Sequence, residues 1–161
     1  MSEPSPQVER ELRQVRLDDD LVAPLLASLG DEYLKRYGVS DELSQTEPTQ
    51  FDPPGGLFLV MVEDGLVIAG AGYRRISDEV CELKRMWTSP AHRRQGLAGA
   101  VLGALEAAAF AEGYRTMRLE TGPSQPEAVK LYESRSYHRI AYYGRYARAL
   151  AFERELDPPA S

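Results

Sequence analysis

The chain has 161 residues, 43% hydrophobic and 27% charged, a composition that fits one soluble globular domain with its own core. A formal net charge of −6 argues against general nucleic-acid binding, and one cysteine excludes an internal disulfide framework. With only two histidines no metal site is expected, and no apolar run approaches a membrane span, so no membrane partner is expected either. The Met1-Ser2-Glu3-Pro4 start lacks a signal peptide's basic and apolar regions, so the expected location is the cytosol.

Residues 1–10 carry Pro4 and Pro6 and read as a tail, followed by a short first strand over Gln14 to Leu17. Asp18 to Asp20 supply a helix cap and first-turn negative charge, which predicts a helix from about Leu21 to Tyr37 with Gly38 as its stop. Ser40 to Gly56 reads as a long polar loop with one helical turn, a kind of connection that is often functional. Two apolar runs, Leu57 to Val62 and Leu66 to Tyr73, flank Glu63-Asp64-Gly65 and predict a hairpin. Ser77-Asp78-Glu79 is a second turn, before a strand from Val80 to Thr88 that contains Cys81 as a small buried residue.

Next comes Pro90-Ala91-His92-Arg93-Arg94-Gln95-Gly96-Leu97-Ala98-Gly99, a basic glycine-bearing turn that runs into a helix through Glu112. The first amides of a helix lack intrahelical partners, and the helix dipole adds partial positive charge there. Gly96 removes a Cβ that would hold a phosphate away, and Arg93 and Arg94 supply full charges, so the turn predicts a phosphorylated ligand. Leu97, Val101, Leu102, Leu105, Ala108 and Ala109 form the core face of the helix. Gly96, Gly99 and Gly103 form a separate small-residue stripe that lets a backbone or ligand approach. A strand over Met117 to Thr121, a helix over Pro126 to Arg135 and closing strands over Tyr137 to Ile140 and Leu150 to Glu155 complete the domain. Tyr142 to Tyr146 form an aromatic link, and residues 157–161 a tail.

This order predicts a mixed α/β sheet with helices on both faces. The turn lacks the Gly-Lys-Ser/Thr ending of a P-loop, and it follows a hairpin-linked strand rather than the first strand of a dinucleotide-binding unit. Arg93-Arg94-Gln95-Gly96-Leu97-Ala98 matches Arg/Gln-x-x-Gly-x-Gly/Ala. Glu82 to Thr88 and Pro90 lie upstream of it, and Leu119-Glu120-Thr121-Gly122 and Gln125 to Glu133 downstream. Together they resemble the GNAT superfamily of acetyl-CoA-dependent N-acetyltransferases, in its small bacterial, histone-acetyltransferase-like subgroup. The resemblance covers residues 57–147 in motif and 11–56 in topology only, and implies one N-acetyltransferase domain over 11–156 with a mostly antiparallel central sheet.

The resemblance assigns roles residue by residue. Met86, Trp87 and Thr88 would bond the pantetheine arm of acetyl-CoA through their backbone. Arg93, Arg94, Gln95, Gly96, Leu97, Ala98 and Gly99 would hold its pyrophosphate. Tyr132 would stand near the sulfur and protonate the leaving thiolate. Gln125 takes the place of a cofactor-contacting Asn, and Ser136 stands where relatives carry Gly, a change expected to shift the turn before Tyr137.

Acyl transfer to an amine needs a base, because an amine near pKa ~10 is mostly protonated at neutral pH. Glu82 is the leading candidate, since strict alternation puts it on the face of Lys84 and Met86; an ion pair with Lys84 or Arg85 is the competing reading. Glu120 is the second candidate, and a backbone amide near Met86 or Trp87 is expected to meet the oxyanion. Tyr33, Tyr37, Tyr73 and Trp87 are acceptor-pocket or core residues, and His92 and His138 are turn and surface residues. Residues 1–80 hold 7 Lys/Arg against 16 Asp/Glu, and residues 81–161 hold 12 against 9, a split that fits either a cationic amine acceptor facing an anionic donor or uneven solvated surface charge. The rival function is a non-catalytic acetyl-CoA-binding sensor, and exposed final strands are compatible with a homodimer.

Overall fold

The computed structural model describes residues 9–37, 48–122, 125–141 and 149–158. Residues 1–8 and 159–161, Gly38 and Tyr142 to Tyr146 lie outside them. The chain enters through β1 (Arg10–Gln14), an edge strand antiparallel to β2 (Leu57–Glu63). Its start differs from the expected Gln14 to Leu17. Every residue of β1 is exposed, so no apolar alternation marks it, whereas the apolar signal came from Val15 and Leu17, which are buried just beyond its end. Asp19 then accepts from the Leu21 amide at 2.9 Å and caps a 3-10 turn, Asp20–Val22, leading into α1 (Ala23–Tyr37).

After a second 3-10 turn, Pro48–Phe51, β2, β3 (Leu66–Arg75) and β4 (Val80–Thr88) form two hairpins. The first closes on Asp64 and Gly65 with φ of 51° and 78°, the left-handed pair that matches strand twist. The chain then runs through α2 (Leu97–Glu112), β5 (Thr116–Thr121), α3 (Pro126–Ser134), β6 (His138–Ile140) and β7 (Leu150–Glu155). The seven strands lie in the order β1-β2-β3-β4-β5-β7-β6, antiparallel except for β4 beside β5. That single parallel pair exists because α2 provides the crossover a parallel connection needs.

The sheet separates two cores. On one face α2 and α3 bury Met61, Tyr73, Leu83, Met117, Leu119, Tyr132 and Phe152 with Val101, Leu102 and Leu105. On the other, α1 and the second 3-10 turn bury Leu25, Leu29, Phe51, Phe58, Val60 and Trp87. The second face comes close because β3 carries Gly70 and Gly72 there. A Cβ on Gly72 would lie 2.5 Å from Phe58 Cδ2 and 2.8 Å from Phe51 Cδ1, and one on Gly70 would lie 2.7 Å from Leu25 Cδ1.

Helix α3 ends in a left-handed turn. Ser136 adopts φ 71°, and the Tyr137 amide donates to the Tyr132 carbonyl at 3.0 Å. Ser136 takes the left-handed conformation that favours glycine and carries the strain of its Cβ. Ser136→Gly should therefore raise stability by about 1 kcal/mol. A urea titration checks this, and an unchanged or lower midpoint would show that the strain is not there.

Candidate active site

The site begins with an extra residue in β4. Gly72 pairs with Lys84 and Gly70 pairs with Trp87, so β4 has one more residue than β3 between the two pairs. The surplus is taken up at Arg85, whose φ of 61° is left-handed. For a non-glycine residue this costs of the order of 1–2 kcal/mol, so packing must hold it there. Arg85 is buried, with its guanidinium over the Phe51 ring at 5.5 Å from the centroid.

The bulge resets strand alternation. Cys81 and Leu83 face the α2–α3 core, which leaves Glu82 and Lys84 on the α1 face, and Met86 then packs against the α2–α3 core. The expectation that Met86 shares a face with Glu82 is therefore corrected, because period-two counting fails across a bulge. Trp87 turns to the α1 core, where its Nε1 donates to Ser28 Oγ at 2.9 Å. It is a core residue and tethers α1 to the strand. Tyr73 is likewise core, its hydroxyl donating to Glu112 Oε1 at 2.8 Å; the side chains of Tyr33 and Tyr37 lie outside the described residues.

Beside the bulge the sheet splays. β4 and β5 pair from Val80–Thr116 to Leu83–Leu119, after which β5 continues against β7 while residues 84–88 pair with β3. Beyond Leu83 the β4 backbone, through Met86, Trp87 and Thr88, is not laddered to β5. An extended amide-bearing chain can pair with such a stretch as an added strand.

The glycine turn follows at the end of β4. A short 3-10 turn, Pro90–His92, is followed by Arg93 in extended conformation, Arg94 at φ 66° and Gly96 at φ 76°. Gly96 caps α2 with no side-chain bond, and the Ala100 amide is the one that closes onto the Gly96 carbonyl, at 3.1 Å. The amides of Leu97, Ala98 and Gly99 precede that first bond and belong to the orphan set at a helix start. A Cβ on Gly96 would meet nothing within 4 Å, so this position opens to space. Arg93 Nε donates to the Thr88 carbonyl at 3.4 Å. The rest of the small-residue stripe serves packing: Gly99 lies against Leu131 and Gly103 against Arg135, both on or next to α3.

Helix α3 starts after Gln125, whose amide donates to the Gly122 carbonyl at 3.3 Å, and carries Tyr132. Tyr132 is buried, its ring 5.7 Å from that of Tyr137 and 6.3 Å from that of Phe152. Burial alone pushes its phenol well above the ordinary value near 10. The helix is held on α2 by Glu106, which accepts from Tyr137 Oη at 2.9 Å and from Arg135 Nη2, with Arg154 Nη1 at 3.6 Å.

Glu82 is buried, and its Oε1 accepts from Arg74 Nε at 2.9 Å, with Lys84 Nζ at 3.9 Å. Glu82 is thus ion-paired with the cross-strand Arg74; the partners expected from sequence were Lys84 or Arg85. The hairpin centred on Asp78 was the available signal, since Arg74 and Glu82 are equidistant from it and in register. Arg74, Glu82, Arg118, Glu153 and His138 are successive register partners across β3, β4, β5, β7 and β6, a row of alternating charge. Within it Arg118 Nε donates to Glu153 Oε2 at 2.9 Å. Arg74 Nη1 also donates to Gln50 Oε1 at 2.8 Å, at the wall of a cleft of about 550 Å³ that includes Asp52, Arg75, Asp78 and Glu112. Cys81 is fully buried and its thiol is pushed up to about 12 by desolvation and the Glu112 charge, which makes it a poor nucleophile. His92 lies in the turn and His138 on an exposed strand, as expected.

The end of the β4–β5 pairing, the bulge and the uncapped glycine turn thus follow one another from β4 into α2, and residues 22–137 match the model of the Acetyltransferase (GNAT) family. The chain belongs to that family. It is a GNAT acyltransferase, and its mixed seven-stranded sheet is the GNAT fold. It is 31% identical over 141 residues to the uncharacterised N-acetyltransferase YjgM of Escherichia coli, covering 86% of this chain and 78% of that one. A solved Klebsiella pneumoniae protein assigned as an acyl-CoA N-acyltransferase is 25% identical, with TM-score 0.76 over 92% of this chain and 98% of that chain. YncA of Salmonella typhimurium, solved with acetyl-CoA, shares the fold at 20% identity, with TM-score 0.70 over 94% and 96%. No helix among the described residues of this GNAT protein is long and apolar enough to cross a membrane.

Proposed function

We propose that this GNAT protein is an acetyl-CoA-dependent N-acetyltransferase that transfers the acetyl group directly to a primary amine of a small molecule or peptide. The observation that carries the reading is that β4 leaves its ladder with β5 after Leu83 and then runs through the glycine turn to the uncapped start of α2. One stretch, Met86 to Gly99, thereby offers strand-like backbone for an amide-bearing arm and helix-start amides for a pyrophosphate. Arg93 and Arg94 add charge at the phosphate end, and Gln125, at the start of α3, is assigned a cofactor contact. The acetyl-CoA-bound fold relative supports the donor.

In the reaction the amine nitrogen bonds to the thioester carbonyl carbon, and the carbon–sulfur bond breaks. A backbone amide at Met86 or Trp87 is assigned to the oxyanion, and Glu82, with Glu120 as the second carboxylate, takes the amine proton through water. Arg74 fixes the orientation of the Glu82 carboxylate. Tyr132 serves the sulfur. A thiol titrates near ~8.5, well below a buried phenol, so Tyr132 shares its proton with the developing thiolate by hydrogen bonding rather than surrendering it. For the acceptor, the acidic first half supports a cationic amine, and the cleft beside Arg74 sets Asp52, Asp78 and Glu112 against Arg74 and Arg75.

Calorimetry should show acetyl-CoA binding, and an amine panel should release free CoA thiol; no binding, or binding without release on any amine, overturns the assignment. Tyr132→Phe should lower kcat roughly 10- to 100-fold, the loss of a hydrogen bond to a charged atom, with little change in acetyl-CoA affinity. Unchanged turnover would remove its role. Glu82→Gln should cost about 100-fold in kcat near neutral pH and recover as rising pH deprotonates the amine. A pH–rate profile of unaltered shape would assign the proton elsewhere.

A further inference from the structure

Glu63 ends β2, and three parts of the chain converge on it. Arg10 of edge strand β1 donates from Nε to Glu63 Oε1 at 2.9 Å. His92, in the turn after β4, donates from Nε2 to Glu63 Oε2 at 2.9 Å; the carboxylate can only accept, which places that proton on Nε2. The second arm of Arg10 reaches past Glu63, and its Nη2 donates to Gln95 Oε1 at 2.5 Å. The glycine turn is therefore gripped at residue 92 and at residue 95, on either side of left-handed Arg94 and directly before left-handed Gly96. The Arg10 guanidinium, followed by His92, holds the Glu63 carboxyl below the usual carboxylate range.

This grip has no counterpart in the packing of the turn itself. Residues 93–96 are exposed, and the N-cap residue of α2 is Gly96, which has no side chain to bond the first amides, so apolar burial does little to select their conformation. Two left-handed residues within three positions still have to be maintained for the amides after Arg94 to point the same way. A loop set before binding spends less of its contact energy on ordering. We propose that Glu63, through Arg10 and His92, is a positioning residue that presets the Arg94–Gly99 turn for the pyrophosphate of the acyl donor. This rests on the reading that the turn binds the pyrophosphate.

The test compares acetyl-CoA with acetyl-pantetheine, which carries the same thioester arm and no pyrophosphate. Glu63→Ala should raise Kd and KM for acetyl-CoA about tenfold, leave kcat at saturation unchanged, and leave kcat/KM for acetyl-pantetheine unchanged. Glu63→Gln, which keeps one acceptor, should recover part of the loss. Arg10→Met should reproduce it, and the double variant should lose no more than the single ones. Equal losses on both donors, or none on either, overturn the proposal. Should Glu63→Ala fail to fold, Glu63→Gln and Arg10→Met decide by the same comparison. If the wild-type protein binds acetyl-CoA no better than acetyl-pantetheine, the pyrophosphate reading falls and the proposal with it. If wild type favours acetyl-CoA and the variants keep that preference, the proposal alone falls.

Discussion

Strand β4 serves two incompatible neighbours, and the rest of the site follows from how that conflict is resolved. On one side it must stay in ladder with β3 to its last residue, because Thr88 still pairs with Ala69. On the other it leaves β5 after Leu83, where β5 turns its pairing to β7 alone. The extra residue at Arg85 lets β4 bend away without losing β3. Its left-handed backbone is unfavourable by itself, and it is held by burial of Arg85 against Phe51 and by the Trp87–Ser28 bond.

The bulge also distributes chemistry between the two faces. Because alternation is reset, Met86 belongs to the core that contains Tyr132, while Glu82 and Trp87 belong to the α1 side with Arg74. Tyr132, assigned to the sulfur, and Glu82, assigned to the amine, lie on opposite sides of the sheet whatever β4 does after Lys84. An unbulged β4 would put Met86 on the Glu82 face. The helices respect the same division, since α3 is anchored on α2 through buried Glu106 and α1 is anchored on β4 through Trp87.

Much of this architecture was legible in the chain. Asp64-Gly65 and Ser77 to Glu79 marked both hairpins, and β4 and β7 have the expected bounds, β4 because turn residues, Ser77 to Glu79 and Ser89-Pro90, close it at both ends. The glycine turn was legible as well, since Gly96, two arginines and a following helix carry their meaning locally. β1 was misplaced by four residues, because an exposed edge strand has no hydrophobic period to read. Ser136 adopts the left-handed conformation that favours glycine, held by the bonds that end α3.

The sequence by itself determined the glycine turn, the order of elements and the family, because these depend on residues close together along the chain. Only the tertiary structure decided which groups share a face. One inserted residue at Arg85 inverts every later side chain of β4, and no composition or spacing announces where a surplus residue will be absorbed. The grip of Arg10, Glu63 and His92 on the turn was beyond sequence reading for a similar reason. Its members are 53 and 29 residues apart, and they meet only because β1, β2 and the start of α2 are brought to one corner of the sheet.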